Sequence, residues 1–593
     1  MEGAEEHEKH TELIKVSEER YKYINTTYQR VSAKMYDYNC DIKLRVEKQT
    51  FRAHRDVLSE ASDYFSAMFG HNMLEKDQGE IELHGISPRG FTMMMEYFYH
   101  GHITVDSDNI EDVTEAARFF HIEWLLYICC NFLIQHLSIV NYDMVLHLAD
   151  KYCLGELRGE IFKLVCCNFM TLADRSSFLK LSYDLLYQLL SEDHYIEATE
   201  GFIVKVLLKW LAYNPDDREQ YRTVLLNLIR YSLLTVDELE NLPSSLHDDP
   251  DIATCIDRAL AYQVEPCKQC LLPSDDTEVR GSKTSLVLIS ALDDATQIQY
   301  RIPELQTVLS EETDTSFLDS VFEFASVAVL GNFMFVAGGY CHRSWCSSPA
   351  FYRYDPRNRS WAQLSSMNRP RVSFCLVASK RGLYAVAGIE HIVEHGIDQE
   401  LILNSVEFYN PDENIWCYVP PLPFGCFSVA AAVLDDKVYV TGGISEDPED
   451  TVPVNYLHVY HPDDKAWHPR SRMFTDRQGH AMVSHNKKLY VFGGYTAAGH
   501  DMMSFANCLQ NEMYDINTDQ WTQLRDTPAE FGRLSPSTAL MDGTIFLLSG
   551  ANDHRFLHTF DTETDEMSDG EECGAFVQKL VVLNIAVPIH SLV

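Results

Sequence analysis

Short apolar runs that end in glycine recur along the C-terminal half of the chain, and each is followed by a tyrosine seven positions before a tryptophan. The aromatic pairs are Tyr354 and Trp361, Tyr409 and Trp416, Tyr460 and Trp467, and Tyr514 and Trp521. A polar turn separates the two aromatics of each pair, and proline and Asx side chains favour a chain reversal there. Each copy therefore predicts a β-hairpin that follows one apolar strand.

The glycines that close the apolar runs recur in steps of about 50 residues, the period of four-stranded propeller blades of the kelch type. Weaker copies lie at residues 545–567, with Phe560 and Met567 in place of the aromatic pair, and at residues 286–300, where the glycines are absent. These features resemble the kelch family and imply an all-β propeller of six blades over residues 284–593. The apolar segment at residues 576–587 is predicted to pair into the first blade and close the ring.

The pattern between residues 39 and 105 alternates short strands with helix-like segments. Its segments at residues 40–46, 51–58, 62–69, 81–83 and 98–101 resemble the BTB (POZ) domain in order and spacing. The resemblance implies an α/β domain over residues 25–137, preceded by an acidic extension at residues 1–24. It also implies a homodimer, formed through a helix at residues 27–36 and the first strand, predicted at residues 40–46. Asp41 and His54 could form an acid–base pair, but the resemblance favours a structural role on the dimer side.

Apolar residues at three- and four-residue steps predict an all-helical domain over residues 138–263, followed by a linker at residues 264–283. This segment is similar to the BACK domain. BTB, BACK and kelch in this order identify the chain as a member of a family of substrate adaptors for cullin-3 RING ubiquitin ligases. The resemblance implies cullin contacts at Met73, Leu74 and Glu75, with a second surface at Tyr142 and Leu146. Core packing is the alternative for the last two.

Composition narrows the choice of partner and compartment. The formal net charge of −40 makes nucleic acid an unsuitable partner. It serves solubility, or it favours basic protein segments. The start lacks the features of a signal peptide, and no stretch approaches about 18 consecutive apolar residues. Adjacent cysteine pairs in helical segments suit reduced thiols. The expectation is a cytoplasmic protein, with nuclear residence as a further option, and no membrane span.

Two motifs of possible chemistry fit their context badly. Residues 391–395 have the H-x-x-E-H spacing of some zinc peptidases but follow a blade strand directly. Cys267 and Cys270 have the spacing of half a zinc site or a redox pair, but no second such pair lies nearby. Nucleophile elbows, P-loops and dinucleotide-binding fingerprints are absent from the sequence. We therefore expect a non-catalytic protein without metal or cofactor; nothing supports the copper ligands of a propeller oxidase.

The loops after the glycine strands gather on one face of kelch propellers, where they commonly bind the partner. Predicted target-binding residues are Arg343, Trp345, Ser373, Glu446, Asp447, Glu449, Asp450 and Arg533. Arginine with an aromatic residue is a common hot-spot pairing, and the acidic run could hold a basic segment. Alternatively, Trp345 fills a gap beside the degenerate blade and the acids are solvated. Related adaptors use an arginine near the first strand of several blades, and only Arg533 holds that place, which speaks against acidic targets.

The predicted function is that of a substrate-recognition adaptor of a cullin-3 RING ubiquitin ligase. The BTB and BACK domains would hold the cullin with its RING subunit, and the propeller would capture the target protein. The alternative is a dimeric scaffold of the same architecture that binds cytoskeletal filaments or other proteins without a cullin.

Overall fold

The computed structural model describes most of the chain, which divides into two compact units, residues 1–181 and 182–593. The described residues are 11–15, 40–70, 78–100, 102–192, 196, 198–272, 275–292, 295–302, 307–313, 325–341, 346–394, 397–446, 451–497, 505–529, 534–551, 554–574 and 577–586.

The first unit combines five short strands with eight helices in its described part. The strands are β1 Thr11–Lys15, β2 Ile42–Val46, β3 Gln49–Ala53, β4 Glu80–Leu83 and β5 His102–Asp106. The helices are α1 Arg55–Ala61, α2 Asp63–Met68, α3 Pro88–His100, α4 Ile110–Phe119, α5 Glu123–Gln135, α6 Tyr142–Tyr152, α7 Gly155–Cys167 and α8 Phe169–Ala173.

Strand β2 lies in the middle of a three-stranded sheet, antiparallel to β3 and parallel to β4. Its side chains alternate between buried and exposed, as a strand with one covered face requires. Both of its edges are therefore already paired, so this strand cannot pair with a second chain. The predicted dimer, whose helix at residues 27–36 lies outside the described residues, stays a prediction, without edge pairing by the strand at residues 40–46. The first strand of the structure is instead β1, within the predicted acidic extension, and it pairs antiparallel with β5.

Aromatic packing forms the centre of the first unit. Phe65 on α2 stacks on Phe120 at 5.1 Å between ring centroids, and Phe98 on α3 meets both rings edge-on at 5.4 and 5.9 Å. All three side chains are buried. Such pairs add to the free energy gained from burial alone, so helices α2 and α3 are fixed against the end of α4.

The second unit begins with seven helices in its described part, several of which have a first turn capped by a side chain. They are α9 Tyr183–Ser191, α10 Glu200–Tyr213, α11 Pro215–Arg218, α12 Arg222–Leu226, α13 Val236–Glu240, α14 Ser244–His247 and α15 Pro250–Val264. The Thr199 side chain accepts a hydrogen bond from the third backbone N–H of α10, and Thr235 with Glu238 forms a reciprocal capping box on α13. A short 3₁₀ helix, Pro266–Leu271, follows α15.

The remainder of the second unit is a propeller of six sheets, which confirms the predicted architecture. Blade 1 contains β6 Ser282–Leu292, β7 Ala295–Ile302 and β8 Thr307–Thr313. Blade 2 contains β9 Ser326–Leu330, β10 Phe333–Ala337, β13 Phe351–Asp355 and β14 Ser360–Gln363. Blade 3 contains β15 Cys375–Ser379, β16 Gly382–Val386, β19 Val406–Asn410 and β20 Ile415–Val419. Blade 4 contains β22 Ala430–Leu434, β23 Lys437–Thr441, β26 Leu457–His461 and β27 Ala466–Arg470. Blade 5 contains β28 Ala481–His485, β29 Lys488–Phe492, β32 Glu512–Asp515 and β33 Gln520–Gln523. Blade 6 contains β34 Leu534–Met541, β35 Thr544–Ala551, β36 His554–Asp561 and β37 Glu566–Met567, with β38 Glu571–Gly574 paired to β36. The final strand, β39 Val577–Ala586, pairs with β6.

Strand β39 closes the ring by supplying the innermost strand of blade 1. The innermost strands of neighbouring blades contact one another around the whole circle, from β9 through β15, β22, β28 and β34 to β39 and back to β9. In each full hairpin the tyrosine lies opposite the tryptophan of the same copy, with ring centroids 5.0–5.3 Å apart. The repeated aromatic pair therefore covers one face of the two outer strands and packs against the preceding blade.

The structure also shows what surrounds the Cys267 and Cys270 pair. The two residues lie in the 3₁₀ helix after α15 and are not joined by a disulfide. Cys270 packs into the core between blades 2 and 3, where burial raises the pKa of its thiol to about 12. A thiol that does not ionise is a packing residue.

Among the helices of the described residues, none combines the length and apolar character that a bilayer crossing requires.

Candidate functional site

Four two-stranded extensions, here called the ribbons, follow the glycine-terminated strands of blades 2 to 5. They are formed by β11 Tyr340–Cys341 with β12 Cys346–Ser347, β17 Ile389–Glu394 with β18 Ile397–Ile402, β24 Ile444–Glu446 with β25 Thr451–Pro453, and β30 Tyr495–Ala497 with β31 Phe505–Asn507. A short strand, β21 Cys426–Phe427, pairs with β24. Because each ribbon leaves its blade at the same point of the repeat, all four extend from one face of the propeller.

The ribbons of blades 2, 3 and 4 are joined through side chains and backbone. The hydroxyl of Ser347 accepts a hydrogen bond from the backbone N–H of His391 at 3.0 Å. The ring of Tyr340 meets the ring of His391 edge-on at 5.7 Å. Between blades 3 and 4, the backbone N–H of Cys426 donates to the carbonyl of Leu403, directly after β18, at 3.2 Å, and the backbone N–H of Glu446 donates to the carbonyl of Gly425 at 3.0 Å. These contacts give the face a continuous rim.

The described charges on this rim are mainly acidic. Glu400 and Glu446 are exposed, and Nδ1 of His391 lies 3.5 Å from Oε1 of Glu400. Glu390, which is buried, is paired with Arg369. His391 and Glu394 belong to a β-strand, so the H-x-x-E-H spacing does not lie on a helix that could present two imidazoles to one metal.

The innermost strands line a central cavity of about 460 Å³. Ser373 lines this cavity with a positive φ of 52°, and its carbonyl accepts a hydrogen bond from the N–H of Ser428 at 2.8 Å. Lys579 also lines it and has no hydrogen-bond or ion-pair partner in the described part of the chain. Burial lowers the pKa of Lys579, whereas burial raises the pKa of the neighbouring Cys375 thiol to about 11. Among the described residues that line it, the cavity thus offers the side chain of Lys579 and several backbone groups to a ligand.

Two buried ion pairs, which the sequence interpretation did not include, organise the strands beneath the rim. Arg371 donates to Glu407 at 2.9 Å in blade 3, and Arg477 pairs with Glu512 in blade 5. Each side chain is at most 1% exposed. Each arginine also donates to two backbone carbonyls, and each glutamate accepts two backbone N–H groups. The charges are therefore paired and hydrogen-bonded, as burial requires.

In blade 4, a cysteine and a histidine occupy the two positions that form the buried ion pair in blades 3 and 5. Cys426 occupies the position of the buried arginine, and His458, at the position of the glutamate, packs against Phe424 with ring centroids 5.5 Å apart. An alignment of the repeats could have predicted the two ion pairs from the sequence. In blades 3 and 5, an arginine four residues after a methionine occurs together with a glutamate two residues before the hairpin tyrosine. Arg533 stands at the equivalent repeat position in blade 6, so Arg371 and Arg477 hold the same place in their blades, and the expectation that Arg533 alone holds it is wrong.

Comparisons with known proteins match three successive segments of the chain. The BTB/POZ domain model matches residues 33–137, the model of the BTB And C-terminal Kelch domain (BACK) matches residues 143–243, and the Attractin/LZTR1 beta-propeller model matches residues 326–556. Kelch-like protein 36 of Bos taurus is 30% identical over 560 residues, covering 90% of this chain and 87% of that protein. The chain belongs to the kelch-like BTB-BACK-kelch family.

Other kelch-like relatives match over a similar extent. Kelch-like protein 15 of Homo sapiens is 27% identical over 567 residues, covering 90% of both chains. Kelch-like protein 26 of Danio rerio is 28% identical over 544 residues, covering 89% of this chain and 87% of that protein. The likeness therefore extends through all three parts of the kelch-like architecture.

Several residues of the predicted kelch-like sites lie outside the described residues and stay predictions. They are Met73, Leu74, Glu75, Arg343, Trp345, Asp447, Glu449, Asp450 and Arg533. Of the predicted target-binding set, the structure brings Ser373 to the central cavity and Glu446 to the rim.

In the first unit of this kelch-like protein, two predicted cullin residues differ in exposure. Tyr142 is 1% exposed, and its hydroxyl donates to Ser177 Oγ at 3.1 Å. Direct contact with a partner is thus ruled out for its ring, because the side chain lies in the core. Leu146 is partly exposed on the same helix, α6, which also carries the exposed side chain of Met144, and the exposed Val140 lies in the turn before this helix.

Asp41 and His54 make separate hydrogen bonds rather than a pair with each other. Oδ1 of Asp41 accepts from the backbone N–H of Arg55 at 2.9 Å, which satisfies an N-terminal donor of α1. Nδ1 of His54 lies 2.9 Å from the hydroxyl of Tyr99. Both residues therefore support the local fold.

Proposed function

We propose that the protein is a substrate-recognition adaptor of a cullin-3 RING ubiquitin ligase. The observation that carries this proposal is the order of BTB, BACK and propeller domains in a chain similar to kelch-like proteins over 90% of its length. The first unit would hold the cullin, and the propeller would hold the target. The target lysine would then lie at high effective concentration beside the conjugating enzyme of the ligase.

The proposed cullin site contains Met73 as its anchor, followed by Leu74 and Glu75. Burying a methionine side chain at an interface is worth about 2 kcal/mol. Apolar surface at the start of helix α6 supports a second contact, because Met144 is 50% exposed and Val140, in the turn before the helix, is 69% exposed. Exposed apolar side chains next to one another are typical of a surface that a partner covers.

The proposed target site is the ribbon face with its central cavity. Glu400 and Glu446 give the rim negative charge, and the overall charge of −40 adds a long-range field of the same sign. Such a field accelerates association with positively charged partners. Leu401 and Phe505, which are 46% and 40% exposed, provide apolar contacts on two of the ribbons. We therefore expect a target segment that combines basic and apolar residues.

A homodimer is part of the proposal, since two linked propellers would bind one target with greater avidity. The chain itself would contribute no catalytic group, and the ligase partners would supply the transfer chemistry. No cofactor is needed for this role.

The test is a binding titration of the full chain against the N-terminal region of cullin-3. The variant Met73→Ala/Glu75→Ala should weaken binding by at least tenfold, the loss expected for about 1.4 kcal/mol. A matched control, Met170→Ala/Glu160→Ala, removes a methionine and a glutamate from helices α8 and α7 and should bind as the wild type does. Absence of binding by folded wild-type protein would refute the adaptor role and favour a scaffold that works without a cullin.

A further inference from the structure

The hairpin at the outer edge of blade 4 brings two histidines together on one face. In the register of β26 and β27, Val459 lies opposite His468, and His461 lies opposite Ala466. Residues two apart on a strand point to the same side, so the two histidines are diagonal neighbours. Their ring centroids are 4.8 Å apart, on the side away from the tyrosine–tryptophan pair.

The turn of the same hairpin places a carboxylate beside these rings. Oδ1 of Asp464 accepts a hydrogen bond from the backbone N–H of Ala466 at 3.2 Å, which places the side chain over the turn. Its other oxygen, Oδ2, lies 2.9 Å from Nε2 of His468. Nε2 of His461 is buried and has no hydrogen-bond partner within the described residues. One ligand atom from each of the three side chains lies within 4.8 Å of the other two.

We propose that His461, Asp464 and His468 bind a divalent transition-metal ion of the Zn²⁺ type, with water completing the coordination. Two imidazole nitrogens and one carboxylate oxygen are a donor set that suits zinc, whereas Mg²⁺ and Ca²⁺ require oxygen ligands. An ion in this place would give the buried nitrogen of His461 a partner.

The distances are compatible with closure around an ion. Bonds of about 2.0–2.2 Å in a tetrahedral site place ligand atoms about 3.4 Å apart. The widest separation therefore shortens by at most about 1.4 Å, and Asp464, which is exposed, can move toward the ion. On binding, His468 presents a lone pair to the metal in place of its hydrogen bond to Asp464. The positive charges of Lys437 and Arg470 also act on His461 and limit the affinity.

The propeller repeat itself does not require this set of residues. The equivalent hairpin of blade 3 carries Asn410, Glu413 and Cys417, and that of blade 5 carries Asp515, Thr518 and Thr522. Both hairpins form the same pair of outer strands without two histidines. A structural demand of the hairpin therefore does not account for the histidines of blade 4.

The test measures zinc bound by the full chain after removal of metal with a chelator and dialysis against defined Zn²⁺ concentrations. His461→Ala and His468→Ala should each bind one zinc fewer per chain, or bind it at least about tenfold more weakly. The control His485→Ala removes a partly exposed histidine from blade 5 and should keep the wild-type stoichiometry.

Two further measurements keep the proposal open to refutation. Asp464→Asn keeps the acceptor for the turn hydrogen bond and should weaken zinc binding without unfolding, even if a histidine variant folds poorly. With Co²⁺ as the probe, the wild type and His485→Ala should show the visible absorption of a site with nitrogen ligands, and the three site variants should lack it. Identical zinc stoichiometry and identical cobalt spectra in wild type and site variants would overturn the proposal.

Discussion

Replacing Arg280 with methionine should loosen the junction between the helices of the second unit and its propeller. Arg280 precedes β6 and is 4% exposed. Its Nε donates to Oε1 of Glu200 at 2.6 Å, and its terminal nitrogens donate to the carbonyls of Leu190 and Leu228 at 2.5 and 2.6 Å. One side chain therefore ties three helical segments to the first strand of the propeller.

The magnitude follows from the environment of the partner that remains. Glu200 is 6% exposed, and without Arg280 it keeps the backbone N–H of Arg230, at 3.1 Å, as its hydrogen-bond donor. Leaving one charge of a buried pair uncompensated costs about 3–5 kcal/mol. That corresponds to a decrease in hydrogen-exchange protection of about two to three and a half powers of ten. The variant Arg280→Met/Glu200→Met removes both charges and should lose less than Arg280→Met alone.

The assay is hydrogen exchange of the full chain, read by mass spectrometry in peptides that cover α9, α10 and β6. Local exchange is preferable to a single unfolding curve because a chain with two compact units need not unfold in one step. The control is Arg525→Met, which breaks an ion pair whose partners are both 67% exposed and should cost at most about 1 kcal/mol. Equal protection in Arg280→Met and the control would show that the buried pair does not hold this junction.

Three further predictions concern the propeller and the thiols. Burial holds the pKa of His480 well below its usual range. The stability of the folded state therefore does not depend on this histidine's protonation above the unfolded-state pKa of 6.5, and it falls as the pH drops below that value, by about 1.4 kcal/mol at pH 5.5. The variant His480→Gln should flatten the dependence of Tm on pH. The variant Gly388→Ala should lower Tm more than Gly543→Ala. Both glycines have a positive φ, but a Cβ added at Gly388 would lie 2.6 and 2.8 Å from neighbouring atoms, whereas a Cβ at Gly543 would meet none. Equal decreases in Tm would contradict this steric argument. Iodoacetamide should modify Cys153 and Cys417 first because they are exposed, whereas the buried thiols, whose pKa values reach about 12, should react only on unfolding, as peptide mapping would show.

The repeat was predictable from the sequence because every full copy carries the same aromatic pair and glycine. The ring closure by β39 was also predictable, because a ring of six blades built from these repeats needs one more inner strand. Strand β1 was not predictable, because a short segment in an acidic stretch carries no pattern that distinguishes it from coil. Its pairing with β5 depends on contacts that are distant in sequence.

The candidate site was predictable in place but not in detail. The loops after the glycine strands do lie on one face, but ordered ribbons depend on cross-strand pairs that no local propensity specifies. Tyr142 illustrates another limit, because an aromatic residue at the start of a helix has no sequence mark for burial. The ion pair of Arg371 and Glu407 was missed because its two members are far apart along the chain. Only a comparison of blades 3 and 5 with blade 4 reveals that both positions change together.

The central claim is that the chain is a dimeric adaptor that carries a cullin. Its most direct test is the mass of the complex between the full chain and the N-terminal region of cullin-3, measured by light scattering during size-exclusion chromatography. We expect a single species with two copies of each protein, reduced to a dimer of this chain alone by Met73→Ala/Glu75→Ala. A wild-type protein that elutes without cullin, at concentrations far above those used for the titration, would contradict the account.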